Sequence, residues 1–354
     1  MTKQEKERYI IMKTKEDFIY FYNNILKDIV KDSFDLYHND YINKKNKVVF
    51  EQSILLIFIF ITIFLLIKEI YDKYILLLLL AVFSLLFIFL LIINLRSLKM
   101  KRKSCYYLVN RTIYQSILEF ISNNDFVYES NTQLAYEDFM KMSLFNLNLL
   151  NYVGSNFTAS HLNDKRFVFC DATLYDLKER IKTSSYFDSQ ENIEYIYNYH
   201  YNEKIDIFSG LYYETTMKRK NNQYIYLIPN NINDLFVRKN LQYYLSFHGD
   251  RVKLENLKFE EKYNVYSIDE LKSRYILSVT LMEKINILDK KIPNKKYFVF
   301  KSDGRLGIFI DGLSIENLLN QKFDIHKMPS QKYLVDYFIK INNLFWISSI
   351  FDEE

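Results

Sequence analysis

The chain has 354 residues, enough for one or two domains with a proper core, and 49% of them are hydrophobic, an ordinary share for a globular protein. Its 47 basic and 43 acidic residues leave a formal charge of +4, too balanced to make nucleic acid the main partner. Six glycines and three prolines exclude a Gly/Ser-rich or Pro-rich linker. The 31 tyrosines and 29 phenylalanines read as AT-rich codon usage before they read as stacking platforms.

Residues 1–47 have the pattern of an amphipathic helical arm, with Phe18, Phe21, Tyr22, Ile25 and Ile29 at roughly helical spacing. Two apolar runs follow. Ile75–Leu95 is 21 residues without a charge, about 30 Å as a helix, which matches the hydrocarbon core of a bilayer. Gln52–Ile67 reaches spanning length once Val48, Val49 and Phe50 join it with Glu51 near the interface. Neither run is apolar on one face only, so neither reads as the surface helix of a soluble domain. The first run starts some fifty residues in and no small-residue cleavage site follows it, which argues against a signal peptide.

Lys44, Lys45 and Lys47 precede the hairpin, and Arg96, Lys99, Lys101, Arg102 and Lys103 follow it. The turn between the runs balances Lys68 and Lys73 against Glu69 and Asp72. The positive-inside rule then places both termini in the cytoplasm, in a multi-pass protein of the cell membrane. Two distant cysteines, Cys105 and Cys170, agree with a reducing compartment. The basic cluster after the second run reads first as a topology signal and second as a site for anionic lipid head groups.

Beyond the hairpin, helix is expected over 98–121, with Tyr107, Ile113, Ile117 and Phe120 as its core stripe. From about Asn123 the pattern changes to short strand-like runs. These are FVFCDATL (167–174), a hairpin of IDIFSGLYYETTM (205–217) with QYIYLIPN (223–230), and a hairpin within KYFVFKSDGRLGIFIDG (296–312) turned by Asp303-Gly304. The S/T-x-x-E pattern at Ser267–Glu270 and at Thr280–Glu283 predicts helices starting at Ile268 and Leu281. A last helix is expected over about 330–349, with Leu334, Tyr337, Phe338, Ile341, Phe345 and Ser348 on its buried side and Trp346 packed on the domain. The fold class is α+β: a two-helix transmembrane hairpin carrying a domain of mainly antiparallel sheet plus helices. The boundaries are 1–47 for the arm, 48–95 for the hairpin with spans at about 48–67 and 75–95, 96–122 for a post-membrane helix, and 123–354 for the cytoplasmic domain.

Catalytic patterns are scarce. The five histidines are dispersed, and no metal-ligand spacing, phosphate-binding glycine loop or nucleophile elbow is present, so no metal and no cofactor are expected. The densest polar group is HGDRVKLEN (248–256), where His248, Asp250 and Arg251 would supply a base, a carboxylate and a cation; the same residues also read as a glycine turn leading into a strand near Val252.

Residues 252–285, VKLENLKFEEKYNVYSIDELKSRYILSVTLMEKI, are similar to the hallmark of the bacterial "domain of unknown function 3137" membrane proteins. Glu255, Phe259, Tyr266, Ser267, Asp269, Arg274 and Tyr275 are among the positions that carry the likeness. Tyr263, Ser273 and Ser278 depart from it mildly. FSGLYYETTMKRK (208–220) and SLFNLNLLNYVGSNFTAS (143–160) resemble two further family stretches, with Asn156 where the family has an acid. The resemblance implies a bacterial membrane protein and brings no activity, substrate or catalytic residue. In the hallmark, Tyr266, Tyr275 and Leu277 are expected to be buried, and Arg274 to pair with Glu255 or Glu260. The functional expectation is a membrane-tethered binding or scaffolding protein with the lipid bilayer and an unknown protein as partners and no nucleic acid, in a form compatible with a homo-oligomer. The alternative is a membrane-associated enzyme, a hydrolase acting on a lipid or envelope precursor.

Overall fold

The structure is a computed structural model that describes residues 13–68, 73–123, 125–140, 144, 151–162, 165–188, 193–217, 223–230 and 249–351. It separates into two compact units. One holds residues 14–117 with 318–338, and the other holds residues 118–317 with 339–351.

The first unit is helical. Helix α1 (Lys15–Phe21) starts on a capping box, in which the Thr14 side chain accepts from the Asp17 amide and the Asp17 carboxylate accepts from the Thr14 amide. It runs through a π turn, Tyr22–Leu26, into α2 (Lys27–Ile67). Its buried stripe is Phe18, Tyr22, Leu26, Val30 and Phe34, while Ile25 and Ile29 are exposed. That corrects the expected stripe for a physical reason. A strict four-residue spacing exceeds the 3.6-residue turn of an α-helix, and one wider π turn brings the stripe back into register.

Helix α3 (Lys73–Ser122) returns antiparallel to α2. Asn94 Nδ2 donates to Glu51 Oε2 at 3.4 Å, Lys101 Nζ meets Asp40 at 2.6 Å, and Ser33 Oγ donates to Thr112 Oγ1 at 3.1 Å. Phe58 and Phe83 stack at 5.7 Å. Asn110 Nδ2 donates to the carbonyls of Leu319 and Gln321, and Tyr333 Oη donates to Asn110 Oδ1. Both helices are long and apolar enough to cross a membrane. Their apolar stretches are open, with Phe60, Leu78 and Leu85 about two-thirds exposed. Such surface is stable in lipid and unfavourable in water, which supports membrane association.

The second unit is built on a nine-stranded antiparallel sheet of order β1-β2-β3-β4-β9-β8-β5-β7-β6. Its strands are β1 (Phe126–Glu129), β2 (Asn151–Leu162), β3 (Lys165–Asp188), β4 (Ile193–Thr216), β5 (Ile225–Pro229), β6 (Asp250–Val252), β7 (Tyr263–Ser267), β8 (Lys296–Phe300) and β9 (Arg305–Asp311). The short runs expected from the sequence are corrected at β3 and β4, which have 24 residues each. Beyond Tyr175 they pair only with each other, out to Asp188 opposite Ile193. The hairpin expected between 205–217 and 223–230 is also absent: β4 pairs with β3 and β9, and β5 with β7 and β8. The β8–β9 hairpin takes the place between them. It turns where expected, with Gly304 at φ +84°.

One sheet face buries Phe208, Tyr212, Tyr226, Tyr297 and Phe309 under Phe139 of α4 (Tyr136–Met140). On the other face Phe167, Phe169 and Tyr213 form a stacked row against Phe345. Phe345 lies on the C-terminal helix Gln331–Ile350, where all six residues of the expected stripe are buried. Trp346 packs under Lys291, whose Nζ stands 3.5 Å from the ring centroid. The fold is therefore α+β, with two long apolar helices ahead of a mostly antiparallel sheet.

Candidate functional site: an apolar groove in the hallmark segment

Residues 252–291 form a strand flanked by three helices, α5 (Leu257–Glu260), α6 (Glu270–Ile276) and α7 (Val279–Lys291). Each has a side-chain cap: Asn256 accepts from the Phe259 amide, Asp269 from Lys272 and Ser278 from Leu281. The helices thus begin two residues away from the expected starts, at Glu270 and Val279. Ser267 is spent closing β7, where its Oγ donates to the Tyr224 carbonyl, and that leaves Asp269 to cap. The Lys272 amide, then the Lys272 ammonium, hold the Asp269 carboxyl below the usual range.

Between α5 and the α6–α7 corner lies an open groove of about 640 Å³. Leu254, Leu277 and Met282 form its buried floor, and Leu257 and Val279 are exposed along its sides at 73% and 63%. Glu255, Lys258 and Arg274 stand at its rim. Arg274 donates to Glu270 at 2.6 Å and to Glu255 at 3.5 Å. Glu260 does not join the pair, because its Oε1 accepts the Leu254 amide at 2.6 Å.

The hallmark residues divide by burial. Phe259 is buried against Tyr263, Leu277 is buried, and Tyr266 is half-buried on the edge of the core. Tyr275 is 70% exposed, contrary to expectation. Helix α6 turns Ser273 and Ile276 inward, and Tyr275, about 200° round the helix from Ser273, points away. Ile268 and Leu271 share that exposure at 76% and 80%. Together with Leu257 and Val279 they make five exposed large apolar side chains within 23 residues.

Of the polar group singled out near residue 250, two members fall within the described residues. His248 lies outside the described residues. Asp250 and Arg251 are exposed on the three-residue edge strand β6, opposite Ser267 and Tyr266. Their backbone forms the glycine turn and strand of the structural reading.

Two further polar clusters were missed in the sequence. Lys296 is 1% exposed, yet its Nζ donates to Asp289 Oδ1 and to the carbonyls of Ile292 and Asn294. Burial lowers its pKa, and with all three N–H groups engaged it serves as a clamp at the end of α7. Asp171 is a lone acid in an apolar strand, a signal present in FVFCDATL. It accepts from the Ile315 and Glu316 amides and from Asn156 Nδ2, while burial pushes its pKa up. An amide at 156 therefore supplies a donor to Asp171 where an acid would repel it. A polar cleft of about 290 Å³ beside Asp171 gathers Gly154, Ser155, Ser209 and Gly210 from the two other family-like stretches.

An antiparallel α+β domain on a chain with two helices of membrane-spanning length is the class that the fold defines. Residues 206–352 match the family model described as "Protein of unknown function (DUF3137)", so this stretch, just under half of the chain, is similar to that family. The matched segment contains the groove and the 208–220 stretch; residues 143–160 lie outside it. No curated protein and no solved structure matches the chain.

Proposed function

We propose that this protein is a membrane-tethered binding protein. Its apolar helices cross the cell membrane as a hairpin, both ends and the sheet domain lie on the cytoplasmic side, and the hallmark groove receives a protein partner. The groove itself carries this reading: it is open and apolar, and the Arg274 guanidinium at its rim is engaged by Glu270 and Glu255. A catalytic pocket would instead gather titratable groups around a space for a reacting atom.

A photo-crosslinking amino acid at Leu257, in the full-length protein in its own membrane, tests the reading. A discrete protein adduct is expected at Leu257 and none at exposed Lys290. No adduct at Leu257, or equal labelling at both positions, removes the groove as the binding site.

A further inference from the structure

The hallmark surface supplies both halves of a contact. Leu271 and Tyr275 stand one helical turn apart on the outer side of α6, and Ile268 continues the row, so the helix presents an apolar ridge. The groove opens beside it, at Arg274, Leu277 and Val279. A ridge and a groove adjacent on one surface meet the requirement of a two-fold contact, in which each subunit offers the same patch and fills its partner's complement. We infer that this patch pairs two copies of the chain, the ridge of each lying in the groove of the other. This inference rests on the binding reading above and names the partner.

Charge separates this occupant from a bilayer surface. Between Arg251 and Arg274 six basic side chains stand against five acidic ones, and the Glu255 side chain at the rim is 92% exposed. Adsorption to anionic lipid needs a basic excess. A near-neutral mixture instead fits a surface carrying the same mixture, with exposed Lys258 facing an acidic side chain across the two-fold axis. The five exposed apolar residues offer on the order of 600 Å² of surface, so with the groove floor they approach the ~800 Å² per partner of a standard interface. Copies tethered to one membrane also share an orientation and a plane, which raises their effective concentration and permits a two-fold axis along the membrane normal.

Light scattering of the full-length protein in detergent, with cysteine crosslinking of mixed variants, tests the pairing. Tyr275→Cys and Leu257→Cys variants with different tags should form a joint disulfide on mixing and mild oxidation. Leu271→Glu in both should abolish it and halve the protein mass, with the circular dichroism spectrum unchanged because Leu271 is 80% exposed. Ile268→Lys should do the same and covers the case in which the first variant misfolds. A wild-type protein of single-chain mass at every concentration, or a dimer untouched by both substitutions, overturns the inference. If that protein still forms a Leu257 adduct with a different protein, the binding reading survives without the pairing. If it forms none, both fall.

Discussion

Capping by Asp269 depends on the charge of its carboxyl. The folded state holds that carboxyl below its ordinary value, so between the two values the folded chain binds fewer protons than the unfolded chain. Its contribution is complete above the ordinary aspartate value of about 4 and is lost as pH falls through the folded value. Asp269→Asn keeps an acceptor for the Lys272 amide and removes the titration. Melting of the two proteins in detergent should therefore differ most near neutral pH and converge below about pH 4; a gap that persists or widens in acid would show that charge is not what the cap uses. Arg274 belongs to the same scale with a smaller weight. It is 40% exposed and pairs with Glu270 one turn away, a geometry worth only about 0.3–0.5 kcal/mol. The sequence named Glu255 or Glu260 as its partner, and Glu255 does pair with it, at 3.5 Å; Glu270, the nearer partner, went unnamed.

Elements with a strong local period were legible: the C-terminal helix followed its stripe from Leu334 to Ser348, and the β8–β9 hairpin followed its Asp-Gly turn. Order within the sheet was not, because pairing of β4 with β9 joins residues about a hundred positions apart and leaves no periodic mark. Gly210 bears on this join. A Cβ there would stand 2.1 Å from the Ile310 carbonyl oxygen in β9, a backbone atom that cannot turn aside. Gly210→Ala should then cost about 2–3 kcal/mol, the upper range for overpacking. Denaturant titration measures it, and a loss under 1 kcal/mol would mean that β4 and β9 separate easily. The groove was half legible. Leu277 in its floor was expected to be buried and is, whereas Tyr275 was expected to be buried and stands exposed, since apolar type alone does not tell a core residue from a surface one.

At the scale of the whole molecule the open question is which side of the membrane carries the domain. The contacts from Ser33–Thr112 through Lys101–Asp40 to Asn94–Glu51 run α2 and α3 antiparallel, so residues 33–51 lie beside residues 94–112. Nine basic residues fall in these two stretches, and the turn between the spans is neutral. The proposed topology puts that end in the cytoplasm, as the positive-inside rule predicts. Native thiols make poor reporters, since Cys105 and Cys170 are buried, with burial pushing them up to about 11 and about 12, so little thiolate forms at neutral pH. Placed cysteines are better, at Tyr71 in the turn and at Glu353, both outside the described residues. A membrane-impermeant maleimide should label Tyr71→Cys in intact spheroplasts and Glu353→Cys only after they are opened. Labelling of Glu353→Cys in intact spheroplasts would invert the topology and turn the groove toward partners in the cell envelope.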